Sequence, residues 1–209
     1  IMKRHAKKAL LVGNIEIPYT GYALESDKDS VTVAEISSFQ LETMVTFKPH
    51  VTAILNITPD HLDRHKTLEN YIAIKESITK NQDENDFCVL NYNDPVLREF
   101  GKTPRCKVIF FSSSEELESG VFLRGDTMII KENGVETPVC TTKDTSLVGM
   151  HNYENIMAAI AMTHAMGVPL DTIRQGIKEF TAVEHRIEFV TEKNGVKYYN
   201  DSKGTNPDA

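Results

Sequence analysis

Short apolar segments alternate with helical patterns along this chain, and that alternation constrains the fold more than any other feature. Five segments rich in Val, Ile or Phe are predicted to be buried β-strands: residues 9–12, 31–35, 51–55, 87–91 and 107–111. Helices are predicted between them at residues 38–46, 68–81 and 95–100. Strands that alternate with helices form a mostly parallel sheet flanked by helices, so we assign the α/β class.

The chain changes character between residues 120 and 140. Three strand patterns separated by turn pairs predict a small antiparallel β region at residues 121–124, 127–131 and 135–139. Two more helices and a hairpin are predicted at residues 152–166, 170–180 and 187–200. We therefore expect a central domain at residues 1–186, followed at residues 187–209 by the hairpin and the start of a linker to a further domain.

The composition limits the partners. With 40% hydrophobic and 25% charged residues, the chain is typical of a soluble globular protein, and its net charge of −7 opposes binding to nucleic acid. Its apolar runs are too short to span a membrane, and we expect no signal peptide. Cys88, Cys106 and Cys140 are far apart and form no CxxC pair. We expect them to be buried thiols in the cytoplasm.

A first polar cluster begins where a predicted strand ends, which is the edge at which open α/β sheets bind ligands. Glu35 ends that strand and can coordinate a hard cation such as Mg²⁺. Ser37, Ser38 and Gln40 follow it and can contact a polar ligand. The structural alternative is a serine that caps a helix and a Glu35 that is only a solvated loop acid.

A second polar cluster, at residues 56–65, also follows a predicted strand. His61 can bind a metal or donate to an anionic intermediate. Asp60 and Asp63 can orient its ring. The alternative is a local turn in which Asp63 pairs with Arg64.

Lys75 lies on the apolar face of a predicted helix. That face is formed by residues at helical spacing: Leu68, Tyr71, Ile72, Lys75 and Ile78. Burial disfavours the ammonium, and a neutral amine is nucleophilic and open to modification. A carbamylated Lys75 near His61 would be an anion that helps to hold Mg²⁺. The alternative is that the stem packs while the ammonium reaches water.

Polar residues in the last third of the chain suit a nucleotide. Asn152 and Asn155 lie one helical turn apart, and their amides can read a purine edge. Alternatively, they form a polar first turn with Asn152 near the helix cap. Arg186 can clamp a phosphate. Asp201 can accept from ribose hydroxyls and Lys203 can neutralise an anion, unless both belong to a polar linker.

Together these stretches resemble the Mur ligase family in their order and approximate spacing. The resemblance rests on Lys75 and on residues 11–15, 35–42, 60–64, 149–155, 185–186 and 200–206. Residues 35–42, with the sequence EISSFQLE, most resemble the branch of the family that adds D-glutamate. One departure is Glu16, because the family commonly has Gly after Asn14-Ile15.

The resemblance implies the central, ATP-binding part of a three-domain enzyme. Its implied reaction uses ATP to join D-glutamate to UDP-N-acetylmuramoyl-L-alanine through an acyl phosphate, in cytoplasmic peptidoglycan synthesis. Its implied partners are these small molecules and the enzyme's other domains, with neither nucleic acid nor membrane. The chain alone is then expected to be inactive. Two alternatives stay open, namely a related ligase of the folylpolyglutamate synthase type and a non-catalytic nucleotide-binding module.

The resemblance also implies residue roles. Glu35 would hold the Mg²⁺ that bridges the ATP phosphates, and His61 with carbamylated Lys75 would hold a second ion. His61, Lys75 and Lys203 would be catalytic. The remaining implied contacts are Asn14, Ser37 and Gln40 with UDP-N-acetylmuramoyl-L-alanine, Asn152 and Asn155 with adenine, Arg186 with a phosphate, Asp201 with ribose, and Thr205 with phosphate or D-glutamate.

Overall fold

The computed structural model describes residues 1–15, 17–181, 185 and 188–202. Its strands are β1 Lys8–Gly13, β2 Ser30–Glu35, β3 Val51–Ile54, β4 Phe87–Asn91, β5 Lys107–Ser112, β6 Gly120–Arg124, β7 Thr127–Glu132, β8 Val135–Thr141, β9 Glu188–Lys193 and β10 Val196–Asn200. Its α-helices are α1 Met2–His5, α2 Ser38–Glu42, α3 Leu62–His65, α4 Leu68–Glu76, α5 Pro95–Phe100, α6 Met150–Ala165 and α7 Leu170–Lys178. Single 3₁₀ turns lie at Tyr19–Tyr22 and Ser77–Thr79.

The largest sheet contains β3 to β8 in chain order. Neighbours from β3 to β6 run parallel, whereas β6, β7 and β8 pair antiparallel. The predicted α/β class, with a mostly parallel sheet, flanking helices and a small antiparallel region, is confirmed. The predicted hairpin is present as β9 and β10. Among the described helices, none is both long and apolar enough to cross a bilayer.

At β4 both faces of the large sheet are covered, which explains why that strand is an unbroken apolar run. Successive side chains of a strand point to opposite faces. Val89 therefore joins the core beneath α6, while Cys88 and Leu90 join a second core that includes Leu97 of α5. A strand covered on both faces needs no polar positions, and β4 has none before Asn91.

The β1–β2 pair is a separate two-stranded parallel sheet, and in the described part of the chain no further strand pairs with it. The prediction of a buried strand at residues 31–35 is correct for the strand and wrong for its burial. Residues 32–35 are exposed, and Val33 keeps 37% of its surface accessible. The apolar pattern of β2 is therefore not matched by a covering layer.

Two helices are shorter than predicted because side chains bind backbone carbonyls near their ends. Asn81 donates to the carbonyls of Val45 and Phe47, which holds the chain after α2 outside a helix. The hydroxyl of Ser77 bonds the carbonyl of Ile74, where α4 gives way to a 3₁₀ turn. The cysteine prediction is confirmed for burial, since Cys88, Cys106 and Cys140 are all buried and unpaired.

Candidate functional site

Asn14 and Glu35 meet where β1 and β2 end. Gly13 pairs with Glu35 in the parallel register. The backbone N–H of Asn14 donates to the carbonyl of Glu35 at 2.8 Å, and its side-chain Nδ2 donates to Oε1 at 3.1 Å. Gly13 permits this approach because its φ is +106° and an added Cβ would lie 2.1 Å from the Glu35 carbonyl oxygen. The structure thus brings together these two predicted site residues at one strand edge.

Ser37 and Gln40 form a capping box at the start of α2. The Ser37 hydroxyl accepts from the Gln40 backbone N–H at 3.3 Å, and Gln40 Oε1 accepts from the Ser37 backbone N–H at 2.8 Å. The helix-cap alternative therefore describes Ser37 correctly. Both side chains also lie directly after Glu35, so their predicted contact with a substrate stays a prediction.

His61 begins α3 in a left-handed conformation, with φ 51° and ψ 34°. A residue other than glycine holds this conformation at a cost of about 1–3 kcal/mol and keeps it only where neighbours fix it. Asp60 is one such neighbour, because its Oδ1 accepts from the His61 backbone N–H at 2.8 Å and its Oδ2 lies 3.5 Å from His61 Nε2. Half of the His61 side chain remains exposed.

A row of ring contacts connects His61 to Lys75. The Phe39 ring of α2 lies 4.9 Å from the His61 ring and stacks at 5.5 Å on His65. His65 lies 5.4 Å from Tyr71, and the Lys75 ammonium lies 5.0 Å from the Tyr71 ring centroid. His61 and Lys75 are thus on opposite ends of one cluster formed by α2, α3 and α4.

His65 is the buried centre of that cluster, and its role was not predicted. Its side chain is fully buried, and its Nε2 is hydrogen-bonded to Ser38 Oγ at 3.0 Å. Its Nδ1 lies 3.3 Å from Glu42 Oε1 without hydrogen-bond geometry. The sequence feature that could have indicated this role is the position of His65 one helical turn after His61. Its effect is to fasten α2 to the segment that carries His61.

Arg64 pairs with Glu42 rather than with Asp63. Its Nη2 donates to Glu42 Oε2 at 2.6 Å, and this bond is the main reason that the pKa of the Glu42 carboxyl is lowered. The proposed Asp63–Arg64 pair is therefore wrong, because Arg64 reaches across to α2 instead. The interaction adds a second tie between α2 and α3.

Lys75 is half-buried on α4. Among the described residues, its ammonium has no hydrogen bond or carboxylate partner, only the face of Tyr71. A cation over an aromatic ring is stabilised without being neutralised. Carbamylation of Lys75 stays a prediction.

The donors present suit Mg²⁺ at Glu35. No group of three or more His, Cys, Asp or Glu side chains within the described ranges forms a metal cage. Mg²⁺ does not require one, since it usually takes one or two carboxylates and completes its shell with water and substrate phosphates. Glu35 offers an exposed carboxylate of that kind.

The predicted nucleotide contacts are divided between described and undescribed residues. Asn152 is buried and its Nδ2 donates to the Val148 carbonyl at 2.8 Å, as the polar-first-turn alternative requires. Asn155 and Asp201 are exposed, on α6 and just after β10. The other predicted residues fall outside the described part of the chain: Arg186, Lys203, Thr205 and the unusual Glu16.

The sequence comparison identifies the family. Residues 2–163 match the Mur ligase middle domain. This chain belongs to the Mur ligase family. Over all 209 of its residues it is 54% identical to UDP-N-acetylmuramoylalanine--D-glutamate ligase of Lachnoclostridium phytofermentans and 50% identical to the protein of the same name from Lachnospira eligens. In each case it spans 46% of the relative's length.

Solved Mur ligases share this fold. The chain matches MurF from Acinetobacter baumannii with a TM-score of 0.69 and 20% identity, covering 96% of this chain and 46% of that one. It matches the MurF ligase from Thermotoga maritima, solved in complex with ADP, with a TM-score of 0.67 and 19% identity. That match covers 96% of this chain and 48% of the other. At such identities the likeness establishes the fold alone.

Proposed function

We propose that this chain is the ATP-handling part of a cytoplasmic ligase that joins D-glutamate to UDP-N-acetylmuramoyl-L-alanine in peptidoglycan synthesis. The relatives that it matches over its whole length carry that activity in their names. The observation that carries the proposal is the pairing of Asn14 with an exposed Glu35 at a strand edge, next to the helix whose Phe39 contacts His61.

The proposed reaction has two steps. First, the L-alanyl carboxylate attacks the γ-phosphorus of ATP, the bond to the bridging oxygen breaks, and ADP leaves. Second, the D-glutamate amine attacks the resulting acyl phosphate, phosphate leaves, and the amine loses a proton as the amide forms. The protein's contribution is mainly to place three anionic molecules together and to neutralise their charge.

Glu35 is proposed to hold Mg²⁺, which when bound neutralises charge on the ATP phosphates. Asn14 keeps the Glu35 carboxylate in place through its 3.1 Å hydrogen bond. His61 and a carbamylated Lys75 are proposed to hold a second ion. Lys203 is proposed to neutralise phosphate or carboxylate charge.

The remaining contacts are proposed from the family. Ser37 and Gln40 contact the UDP-linked substrate, and Asn152 and Asn155 contact adenine. Asn152 Nδ2 donates one N–H to the Val148 carbonyl, so its second N–H and its Oδ1 remain for the base. The other proposed contacts are Arg186 with phosphate, Asp201 with ribose, and Thr205 with phosphate or D-glutamate.

The test is ADP release by the full-length gene product that contains these residues. Turnover should require Mg²⁺, UDP-N-acetylmuramoyl-L-alanine and D-glutamate, and L-glutamate should not replace the D-isomer. The isolated 209 residues should release no ADP. Preference for a folate-type acceptor would assign a folylpolyglutamate synthase-type ligase, and absence of Mg²⁺-dependent turnover would assign a non-catalytic nucleotide-binding module.

A matched pair of variants connects the activity to the strand edge. Glu35→Gln should lower kcat by about 100-fold, because it removes a charge that holds the metal close to the transferred phosphoryl group. Glu84→Gln makes the same chemical change at an exposed residue and should leave turnover unchanged. Equal turnover by the two variants would remove Glu35 from the mechanism.

A further inference from the structure

A polar network connects the N-terminal part of α6 to the ends of β4 and β5. At its centre is Glu154, whose Oε1 accepts from Ser113 Oγ at 2.5 Å and from Asn93 Nδ2 at 3.4 Å. Its Oε2 accepts from Asn91 Nδ2 at 3.4 Å. Since β4 ends at Asn91 and β5 ends just before Ser113, Glu154 spans the carboxyl edge of the sheet.

The orientation of the Asn91 amide is fixed by the backbone. Its Oδ1 accepts from the backbone N–H of Asn93 at 2.9 Å, and its Nδ2 donates to the Leu55 carbonyl at 3.1 Å. Turning the amide over would set oxygen against oxygen and N–H against N–H. The second N–H of Asn91 therefore points at Glu154, which must accept.

The Asn93 amide is fixed in the same way through Ser112. The Ser112 hydroxyl accepts from the backbone N–H groups two and three residues on, at 3.3 and 2.9 Å, so its proton goes to Asn93 Oδ1 at 2.6 Å. Asn93 Nδ2 then donates to Ser113 Oγ at 2.6 Å. The Ser113 hydroxyl in turn donates its hydrogen bond to Glu154.

Every hydrogen bond that the network makes to Glu154 is therefore one that Glu154 accepts. A carboxylate accepts at both oxygens, whereas a glutamine of the same size has only one acceptor and brings two donors. A neutral isostere at position 154 would leave a donor facing a donor, which costs more than losing a contact.

The start of α6 has no side-chain cap of its own. Its N-cap is Gly149, with φ +97° and no side-chain hydrogen bond to the helix. Glu154 instead ties this end of the helix to the sheet. The next residue, Asn155, is exposed, while Asn152 is buried one turn earlier.

We propose that Glu154 is a positioning residue for nucleotide binding, which fixes the N-terminal part of α6 so that Asn155 and Asn152 face the base. This inference rests on the proposed function, because that function assigns the two asparagines to adenine. Glu154 itself does not touch the nucleotide.

The test is the ATP kinetics of the full-length enzyme. Glu154→Gln should raise KM for ATP by about tenfold while kcat stays within about twofold, because a binding group is misplaced and the reacting groups are not. Glu118→Gln is the matched control, since that side chain is fully exposed and its carboxylate lies as far as 4.0 Å from the Lys131 ammonium. It should behave as wild type.

A double variant separates positioning from general loosening. If Glu154 acts through the two asparagines, then Glu154→Gln added to Asn155→Ala should raise KM by a smaller factor than it does alone, since one of the two positioned contacts is already gone. Full additivity of the two changes would overturn the proposal. So would an unchanged KM in Glu154→Gln. If that variant does not fold, Ser113→Ala removes one donor and should raise KM by about threefold, and an unchanged KM there would equally overturn it.

The controls keep the two proposals distinguishable. Wild type and Glu118→Gln must first show Mg²⁺-dependent turnover with D-glutamate, and failure there counts against the proposed function. If they bind ATP without turnover, the dissociation constant of ATP replaces KM in every comparison. If they do not bind ATP at all, both proposals fall.

Discussion

The polar side chains at the ends of β4 and β5 differ from those at the ends of β1 and β2 in how far they are buried and bonded within the protein. At the ends of β4 and β5, Asn91 is buried and its network closes on Glu154 and on backbone groups. At the ends of β1 and β2, Glu35 is exposed, and within the described ranges its carboxylate has one side-chain partner, Asn14. Polar groups with internal partners position other groups, whereas those left open are available to a ligand.

The same contrast extends to packing. Helix α6 buries seven of its residues across β3 to β6, whereas α2 buries two and α3 one. The stability of the chain should therefore reside mainly in the six-stranded sheet and α6. The β1–β2 edge contributes less and carries more of the candidate site.

The largest effect should come from opening the core of the six-stranded sheet. Phe111 is fully buried beneath α6, so Phe111→Ala should lower the free energy of unfolding by about 3–5 kcal/mol. Val33→Ala on β2 removes a side chain that is already 37% exposed and should cost about 1 kcal/mol or less. Urea unfolding of the two variants measures both losses of free energy. Similar values would contradict the claim that the six-stranded sheet contributes more stability than the β1–β2 pair.

A medium effect is expected at the opposite edge of the sheet, where Asp86 is a closed polar centre. It accepts from the Asp83 backbone N–H at 3.0 Å and lies 3.0 Å from His50 Nδ1 and 3.2 Å from Lys48 Nζ. Asp86→Asn keeps the shape and weakens these contacts, so it should cost about 1–3 kcal/mol at pH 7. Chemical unfolding at that pH is the measurement.

The cost of Asp86→Asn should also depend on pH. Burial alone would raise the pKa of Asp86, but hydrogen bonds from Asp83, His50 and Lys48 together place it below its usual value. A lowered folded-state pKa means that the carboxylate stabilises the fold above its unfolded-state pKa and that this stabilisation is lost as the pH falls through the folded-state pKa. The difference between wild type and Asp86→Asn should thus shrink in acid. A difference that grows in acid would contradict this sign.

A small effect is expected from the cap of α2 at the open edge. Ser37→Ala removes the hydroxyl that accepts from the Gln40 backbone N–H and should cost about 1 kcal/mol. Ser37→Asp keeps an acceptor at the N-cap and should restore most of the loss. Hydrogen exchange of residues 38–42 reports the change locally. Equal exchange in wild type and Ser37→Ala would show that the cap does not hold this helix.

Local signals predicted much of the fold. β4 and α5 have the predicted bounds because each is defined by its neighbours in sequence, as when Asp94 caps a helix that starts at Pro95. The prediction that β2 is buried was wrong because the apolar alternation of a strand does not reveal whether another layer covers it. The end of α2 was missed because Asn81, far along the chain, binds the carbonyls that follow it.

The candidate site was predictable where chemistry and strand ends coincide. Glu35 and His61 were predicted because an acid and an imidazole follow predicted strands, whereas Asn14 was implied only by the resemblance to the Mur ligase family; their roles stay predictions. His65 and Glu154 could not be assigned roles, since their partners lie far away in sequence: Ser38 is 27 positions from His65, and Asn91 is 63 from Glu154. Such networks arise only when distant segments meet.

The most direct test of the account is the position of bound metal in the full-length enzyme. In crystals grown with Mn²⁺ in place of Mg²⁺ and a non-hydrolysable ATP analogue, anomalous scattering should show one ion about 2.1 Å from a Glu35 carboxylate oxygen. A second ion should contact His61 and a modified Lys75. Ions held by other residues, with Glu35 and His61 left unliganded, would contradict the proposed centre at the open strand edge.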